Sequence, residues 1–102
     1  MINKIIQHAL TLHSQYEFLH GGCYALAKAL TETCGGEILV NREKEHCIAH
    51  IQNTYYDITG VVKDTQGYHV FRPKEERRIQ REYFLISPEY TMSLVEELKH
   101  IA

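Results

Sequence analysis

The sequence predicts an α+β fold, with N-terminal helices packed on a small antiparallel sheet and a further helix at the C-terminus. Apolar residues recur at helical spacing through the first third of the chain, and alternating patterns with turn signals follow. A serine, a proline and an acidic residue at positions 87–89 then mark another helix start. Because 102 residues are enough for one hydrophobic core, we expect a single domain over residues 1–102.

Two helices are expected before the sheet. The first covers residues 3–13, with Asn3 as its N-cap. Its apolar face consists of Ile2, Ile5, Ile6, Ala9 and Leu10. Residues 14–20 interrupt this pattern and are expected to form a connector. The second helix covers residues 23–33 and is apolar on most sides, which predicts that it is buried, and a pair of glycines ends it.

Three short strands are expected in the middle of the chain, at residues 37–40, 46–52 and 55–59. A polar turn separates the first two strands. A two-residue loop, at either 53–54 or 52–53, separates the last two. We expect these strands to form the antiparallel layer that covers the buried helix.

The hairpin formed by the last two strands places an aspartate beside histidines. His46 and His50 share one face because successive side chains of a strand alternate. Asp57 lies opposite His50 with the later loop and opposite Ile48 with the earlier one. Both registers put Asp57 on the histidine face, because they differ by an even step. Cys47 faces the other side and is expected to be part of the core.

The C-terminal part of the chain is less regular. Residues 61–67 are expected to form a loop and residues 68–71 a short strand, while the charged residues 73–81 form either a helical turn or a solvated excursion. Residues 83–86 are expected to be a strand, and residues 88–101 a helix. The buried residues of this last helix are predicted to be Met92, Leu94, Val95, Leu98 and Ile101.

Composition and charge exclude several classes of function. A net charge of -2 and a pI near 6.4 do not suit a surface that holds nucleic acid, and the apolar stretches are too short to cross a bilayer. We therefore expect a cytoplasmic protein that binds neither nucleic acid nor membrane, and the oligomeric state stays open. Three cysteines argue against a disulfide framework. Cys23 and Cys34 would lie about 16 Å apart on one helix, too far to pair.

The most informative position is Cys23, which follows Gly21 and Gly22 and begins a helix. Unpaired N–H groups and the positive end of the helix dipole favour an anion there, so the thiol ionises more easily. The glycine pair lets backbone and substrate approach closely. Cys23 is therefore the candidate nucleophile, with Gly22 and Tyr24 as substrate-binding candidates. Cys34 lacks this context and is expected to be part of the core.

A histidine and a carboxylate complete the candidate site. His46 and His50 compete for the role of base, and His46 is preferred because it lies where the polar turn joins the strand. His50 is mid-strand and is either an interior histidine or a relay residue. Asp57 could hold the imidazole tautomer or cap the turn at Thr59. A cysteine, a histidine and a carboxylate are the set used in thiol-based acyl transfer.

The stretch GGCYALAKAL, followed by His46 and then by YYDITG, resembles the Cys–His–Asp core of papain-like cysteine peptidases. More closely, it is similar to the compact NlpC/P60-like and transglutaminase-like proteins of bacteria, plasmids and phages. The resemblance covers about residues 20–60. It implies a papain-like core in which Cys23, His46 and Asp57 form the catalytic triad.

On this interpretation the protein is a cysteine hydrolase or acyltransferase: an amide hydrolase, a deamidase or a transglutaminase-like enzyme. Its substrate would be a peptide, a protein or a small amide or ester. Cys23 attacks the carbonyl carbon, and His46 accepts and later returns the proton. The backbone N–H of Cys23 and a second donor from Gln15 or Tyr16 would stabilise the oxyanion. This chemistry requires no cofactor and no metal.

Two other interpretations stay open. The first is a catalytically inactive papain-like binding module, such as a phage or plasmid protein that inhibits a host factor. The second is a zinc site formed by His20, Cys23, His46 or Cys47, and His50. Those ligands would come from a helix start and from both faces of a strand, which a tetrahedral site does not easily gather.

Overall fold

The computed structural model describes residues 1–101, and over this range it confirms the α+β prediction. Its helices are α1 (Ile2–Leu12), α2 (Gln15–Leu19), α3 (Cys23–Cys34), α4 (Glu76–Glu82) and α5 (Pro88–Lys99). Its strands are β1 (Glu37–Asn41), β2 (His46–Ile51), β3 (Thr54–Asp57), β4 (Gly60–Val61) and β5 (His69–Val70). No helix among residues 1–101 has the length and apolar character needed to cross a membrane.

The first helix agrees with the sequence except at one side chain and at its N-cap. Met1, rather than Asn3, is the N-cap of α1. Ile5 and Ala9 are completely buried, whereas Leu10 is exposed and does not belong to the apolar face. At 3.6 residues per turn, Leu10 lies roughly a quarter turn from the middle of the buried face.

The prediction of a connector at residues 14–20 is wrong, because a short helix, α2, lies there. Ser14 is its N-cap: the Ser14 Oγ accepts a hydrogen bond from the Glu17 N–H at 3.2 Å. In return, the Glu17 Oε1 accepts one from the Ser14 N–H at 3.0 Å. This reciprocal capping box satisfies two backbone donors and stabilises a helix that is otherwise too short to persist. It buries Phe18 against α3.

The central helix α3 is buried almost all round, as its composition predicts. It packs on β2 on one side and on α5 and α1 on the other. Gly35 ends the helix with a φ of 84°. At Gly36, a Cβ atom would lie 2.1 Å from the carbonyl oxygen of His50, so only glycine allows the chain to pass this close to β2.

The sheet is antiparallel throughout, with the strand order β4-β3-β2-β1-β5 in the described part of the chain. Ile51 pairs with Thr54, so the hairpin loop is at residues 52–53 and the earlier of the two expected registers is the one observed. Continuing this register places Asp57 level with Ile48. Cys47 belongs to the core cluster that includes α3, as the alternation of faces predicts.

The charged residues 73–81 form a short 3-10 turn, Pro73–Glu75, followed by α4. The start of α5 is confirmed, since the Ser87 Oγ accepts a hydrogen bond from the Tyr90 N–H at 3.0 Å. Met92 is exposed, contrary to prediction, while Leu94, Val95 and Leu98 are buried.

The prediction of a strand at residues 83–86 is wrong. These residues belong to the loop between α4 and α5, which we call the α4–α5 loop (residues 83–87). The Leu85 N–H donates to the Thr91 Oγ1 at 3.1 Å rather than to a neighbouring strand. Ile86 has a φ of 69°, and the Ser87 N–H bonds to the Leu85 carbonyl oxygen at 2.8 Å, which closes a γ-turn.

Candidate active site

The position of Cys23 depends on the two glycines before it. Gly21 has a φ of +123°, and a Cβ atom there would lie 2.8 Å from the carbonyl oxygen of Phe84. At Gly22, a Cβ atom would lie 2.9 Å from the Phe18 ring. These close approaches pack the start of α3 between α2 and the α4–α5 loop. Cys23 then takes the first position of α3, where the backbone N–H groups have no partner within the helix.

His46 and Asp57 lie side by side on neighbouring strands. The His46 Nε2 is 3.0 Å from the Asp57 Oδ2, and the side chains are only 12% and 11% exposed. The Thr59 N–H donates to the Asp57 Oδ1 at 2.8 Å, so Asp57 also caps the turn after β3. Asp57 therefore both contacts His46 and caps the turn at Thr59.

The Cys23 thiol is buried, with 3% of the residue exposed, but its surroundings are polar. Hydrogen bonding from Cys47 is the largest influence and lowers the pKa of Cys23 well below its usual range. Burial acts in the opposite direction, and hydrogen bonding and charge from His46 lower the pKa of Cys23 further. Of the two buried thiols, Cys23 is the one to ionise, because it adjoins both His46 and a helix N-terminus.

His46 carries the matching positive charge. Burial alone would lower the pKa of His46, but the Asp57 carboxylate and the Cys23 thiolate outweigh it and raise that pKa to about 9. For Asp57, burial acts in the opposite direction and would raise the pKa, but hydrogen bonds from His46 and Thr59 hold the pKa of Asp57 below its ordinary value. These shifts favour a thiolate at Cys23, an imidazolium at His46 and a carboxylate at Asp57. Because Nε2 is bound to Asp57, Nδ1 is the ring nitrogen left for Cys23.

Cys47 is a second neighbour that influences the Cys23 thiol, which the sequence does not predict. Its side chain and its backbone N–H both lower the pKa of Cys23. The hydrogen bond to Cys23, and then burial, raise the pKa of Cys47 far above its usual value, so this thiol keeps its proton. The alternation of side chains along β2 does indicate that Cys47 lies on the face that covers α3. Cys23 lies on the buried side of α3, which packs against that face.

A cavity of about 280 Å³ lies next to the start of α3. Its lining includes Gly21, Lys44, Tyr83 and Phe84. Tyr83 is almost completely buried, and burial, together with the nearby Cys47 and Cys23 sulfurs, raises the pKa of Tyr83 to about 12. Tyr83 thus lines the cavity in the neighbourhood of both thiols, and it stays protonated at neutral pH.

A second tyrosine borders the site from a different loop. Tyr68 is half-buried, and burial, followed by the charges of Asp57 and Cys23, raises the pKa of Tyr68 to about 12. Neither tyrosine is distinguished by the sequence, because both come from loops that only the tertiary fold brings to α3.

The other candidates do not join the triad. His50 stacks on Tyr55, with ring centroids 4.3 Å apart, and its Nδ1 is 3.5 Å from the Glu37 Oε1, so it is not part of the His46–Asp57 pair. Gln15 is exposed on α2, and Tyr16 is exposed with its ring tilted by 34° against the His20 ring.

Gly22 and Tyr24 have structural roles. Gly22 precedes α3 and lies against Phe18. Tyr24 is completely buried near Phe71, and among residues 1–101 its hydroxyl is the one buried side-chain polar atom without a hydrogen-bond partner. Neither contact brings a polar side-chain atom to Cys23.

In the described residues, no three histidine, cysteine, aspartate or glutamate side chains are arranged to hold a metal ion. His50 makes its contacts at Glu37 and Tyr55, away from Asp57. The site is thus a set of acid–base and thiol groups within an α+β domain.

An α+β protein with a buried cysteine–histidine–aspartate cluster is the class that these observations define. The Phage YunG-like protein family model matches residues 1–99, and the chain belongs to that family. No curated protein and no solved structure matches the chain.

Proposed function

We propose that this protein is a cysteine-dependent acyl-transfer enzyme that acts through Cys23, His46 and Asp57. One observation carries the proposal: the His46 imidazole is hydrogen-bonded to Asp57 at 3.0 Å and also adjoins the Cys23 sulfur. A carboxylate that orients an imidazole beside a thiol at a helix start is the arrangement that activates a cysteine nucleophile. The order of helix, histidine strand and aspartate strand supports the resemblance to a papain-like core.

The reaction uses the charges that the site already holds. The Cys23 thiolate attacks the carbonyl carbon of an amide or ester, and the carbonyl oxygen becomes an oxyanion. Unpaired N–H groups in the first turn of α3 can donate to that oxyanion. His46 then gives its proton to the leaving amine or alcohol as the bond to carbon breaks, which leaves a thioester on Cys23.

The second half of the reaction releases Cys23. His46, now neutral, accepts a proton from water or from an acceptor amine, which attacks the thioester carbonyl. The carbon–sulfur bond breaks and Cys23 leaves as a thiolate, which restores the ion pair with His46. Water gives a hydrolase or deamidase, and an amine gives a transferase. Peptides, proteins and small amides or esters all carry the required carbonyl group.

Substrate would reach the sulfur from the cavity beside Gly21 and Tyr83. Because Cys23 is 3% exposed, the residues that cover it have to move before a carbonyl can reach the thiolate. We also propose a cytoplasmic location, since three free cysteines suit a reducing compartment.

Alkylation with iodoacetamide tests whether Cys23 is activated, with Cys34 as a reference inside the same chain. Cys34 is more exposed than Cys23. Below its pKa, the alkylation rate of an ordinary thiol rises about tenfold per pH unit. Between pH 6 and pH 8 we expect Cys23 to depart from this rise and to react at a nearly constant rate, as peptide mass spectrometry can measure. A steep rise at Cys23 would contradict the proposed ion pair.

Acyl transfer itself is tested with an activated ester that leaves a thioester on the protein. We expect a hydroxylamine-sensitive adduct on Cys23 in the wild type and in Cys34→Ser, and no such adduct in Cys23→Ser. An adduct that does not depend on Cys23 would refute the proposed nucleophile.

A binding module without activity is the second candidate, and the burial of Cys23 favours it. Tyr16 and Ile86 are strongly exposed apolar side chains that such a module could use to contact a host protein. In that case Cys23→Ser would keep partner binding, while Tyr16→Ser or Ile86→Ser would weaken it. The absence of any thioester on Cys23, together with binding that survives Cys23→Ser, would favour the module over the enzyme.

A further inference from the structure

We propose that Cys23 and Cys47 form a two-cysteine oxidation site, in which a hydroperoxide converts the pair into an intramolecular disulfide. The inference does not rest on the acyl-transfer activity, because it requires only the two sulfurs and the histidine beside them.

The first support is the placement of the two cysteines. Cys23 begins α3 and Cys47 is the second residue of β2, and these two elements pack directly on each other. Both residues belong to one buried cluster, with 3% and 1% exposed, and Cys47 lies on the face of β2 that packs against α3. Cys34 lies at the far end of α3, about 16 Å away along the helix, and cannot take part.

The second support is the difference between the two thiols. Cys23 lies beside the imidazolium of His46 and at a helix start, so it is the thiolate that attacks. Cys47 keeps its proton because the neighbouring thiolate and burial raise the pKa of its thiol. In such a pair, the Cys23 sulfur attacks the oxidant, and the Cys47 sulfur then reacts with the oxidised Cys23 to form the disulfide.

The first step consumes one hydroperoxide. The Cys23 thiolate attacks the outer oxygen of the hydroperoxide, so that a sulfur–oxygen bond forms and the oxygen–oxygen bond breaks. His46 donates its proton to the departing oxygen, which leaves as an alcohol, or as water when the oxidant is hydrogen peroxide. Cys23 becomes a sulfenic acid, and the two electrons lost by sulfur reduce the peroxide.

The second step joins the two sulfurs. Once Cys23 is a neutral sulfenic acid, the main cause of the raised pKa of Cys47 is gone. The Cys47 sulfur then attacks the Cys23 sulfur, a sulfur–sulfur bond forms, and the sulfur–oxygen bond breaks. The leaving hydroxide takes the Cys47 proton and departs as water. A thiol reductant reverses the change by thiol–disulfide exchange.

The experiment treats fully reduced wild-type protein with hydrogen peroxide and maps cysteine pairing in peptides prepared without reductant. We expect the Cys23 and Cys47 peptides to be joined, Cys34 to stay free, and dithiothreitol to reverse the link. The variant Cys34→Ser, outside the site, should form the same disulfide at the same rate. In Cys47→Ser, a Cys23 sulfenic acid should accumulate and be trapped by dimedone.

Several results would overturn the proposal. These are oxidation of Cys23 to a sulfinic acid while Cys47 stays reduced, links through Cys34, and peroxide doses that leave both sulfurs unchanged. Wild-type protein in urea is the control for folded geometry: pairing there should no longer favour Cys23 with Cys47. The peptide map is made on the wild type, so a poorly folded variant cannot decide the result.

Discussion

Replacing Asp57 with asparagine separates the contribution of the carboxylate from that of the thiolate. The asparagine side chain would keep an oxygen that can accept from the Thr59 N–H, now bonded at 2.8 Å, but it would carry no charge opposite His46. In the wild type the pKa of His46 is raised from 6.5 to about 9. The Asp57→Asn change therefore tests how much of this rise comes from one hydrogen bond.

The size of the effect follows from the burial of the pair. Both side chains are nearly nine-tenths buried, and their atoms lie 3.0 Å apart. A charge-assisted hydrogen bond of this kind is worth roughly 1.5–3 kcal/mol, and one pKa unit corresponds to about 1.4 kcal/mol. We therefore expect the pKa of His46 to fall by roughly one to two units in Asp57→Asn, with Cys23 maintaining the remainder of the rise.

An NMR titration of the histidine ring protons measures this pKa directly. The matched control is Glu37→Gln, which removes the carboxylate 3.5 Å from His50 on the same sheet and should leave the His46 titration unchanged. A pKa that stays near 9 in Asp57→Asn would refute the assignment of Asp57 as the group that holds the His46 charge. A fall in both variants would indicate a general change of charge instead of a specific bond.

Three further predictions concern stability, each measured by urea denaturation. The raised pKa of His46 stabilises the folded state fully below pH 6.5, and this stabilisation is lost as pH rises through 9. The lowered pKa of Cys23 acts in the opposite direction: it stabilises the folded state above the ordinary thiol pKa of 9.0, and this stabilisation is lost as pH falls. These opposite trends offset each other in the wild type between pH 6.5 and 9. In Cys23→Ser, Asp57 still raises the pKa of His46, so stability should fall as pH rises from 6.5, and a flat profile would contradict this role of Asp57. Gly21→Ala should lower the free energy of unfolding by about 2 kcal/mol more than Gly60→Ala does. Both glycines have a positive φ, but only at Gly21 would the added Cβ meet a carbonyl oxygen, at 2.8 Å. Equal losses of stability in the two variants would argue against that contact. Tyr24→Phe removes a buried hydroxyl without a partner, so stability should stay equal or rise by about 1 kcal/mol, whereas a clear loss would reveal a hydrogen bond to that oxygen.

Local patterns in the sequence predict the start of α3 and the pairing of His46 with Asp57. The glycine pair and the helix formers after it predict the start of α3, and the alternation of faces in β2 and β3 brings His46 and Asp57 together in either register. These predictions succeed because they depend on the chain within about ten residues of each side chain, where backbone geometry leaves few choices.

Contacts between distant segments account for what the sequence did not predict. Residues 83–86 alternate in burial as a strand would: Tyr83 and Leu85 are buried, and Phe84 and Ile86 are exposed. The pattern was correct, but the Leu85 N–H has Thr91 as its partner instead of a strand, which no periodicity can indicate. The proximity of Cys47 to Cys23 also could not be predicted from local patterns, because it depends on where α3 crosses β2.

His46 and Cys47 are the first two residues of β2, and both lower the pKa of the Cys23 thiol at the start of α3. Their arrangement is maintained by the pairings of Asn41 with His46 and of Val40 with Cys47. Slipping β2 by one residue against β1 would exchange the two side chains and put a sulfur where the proton donor belongs. The reactivity of the Cys23 thiol therefore depends on the correct alignment of β2 with β1. In a chain that is compact but has the wrong alignment of this hairpin, Cys23 should react as an ordinary thiol does.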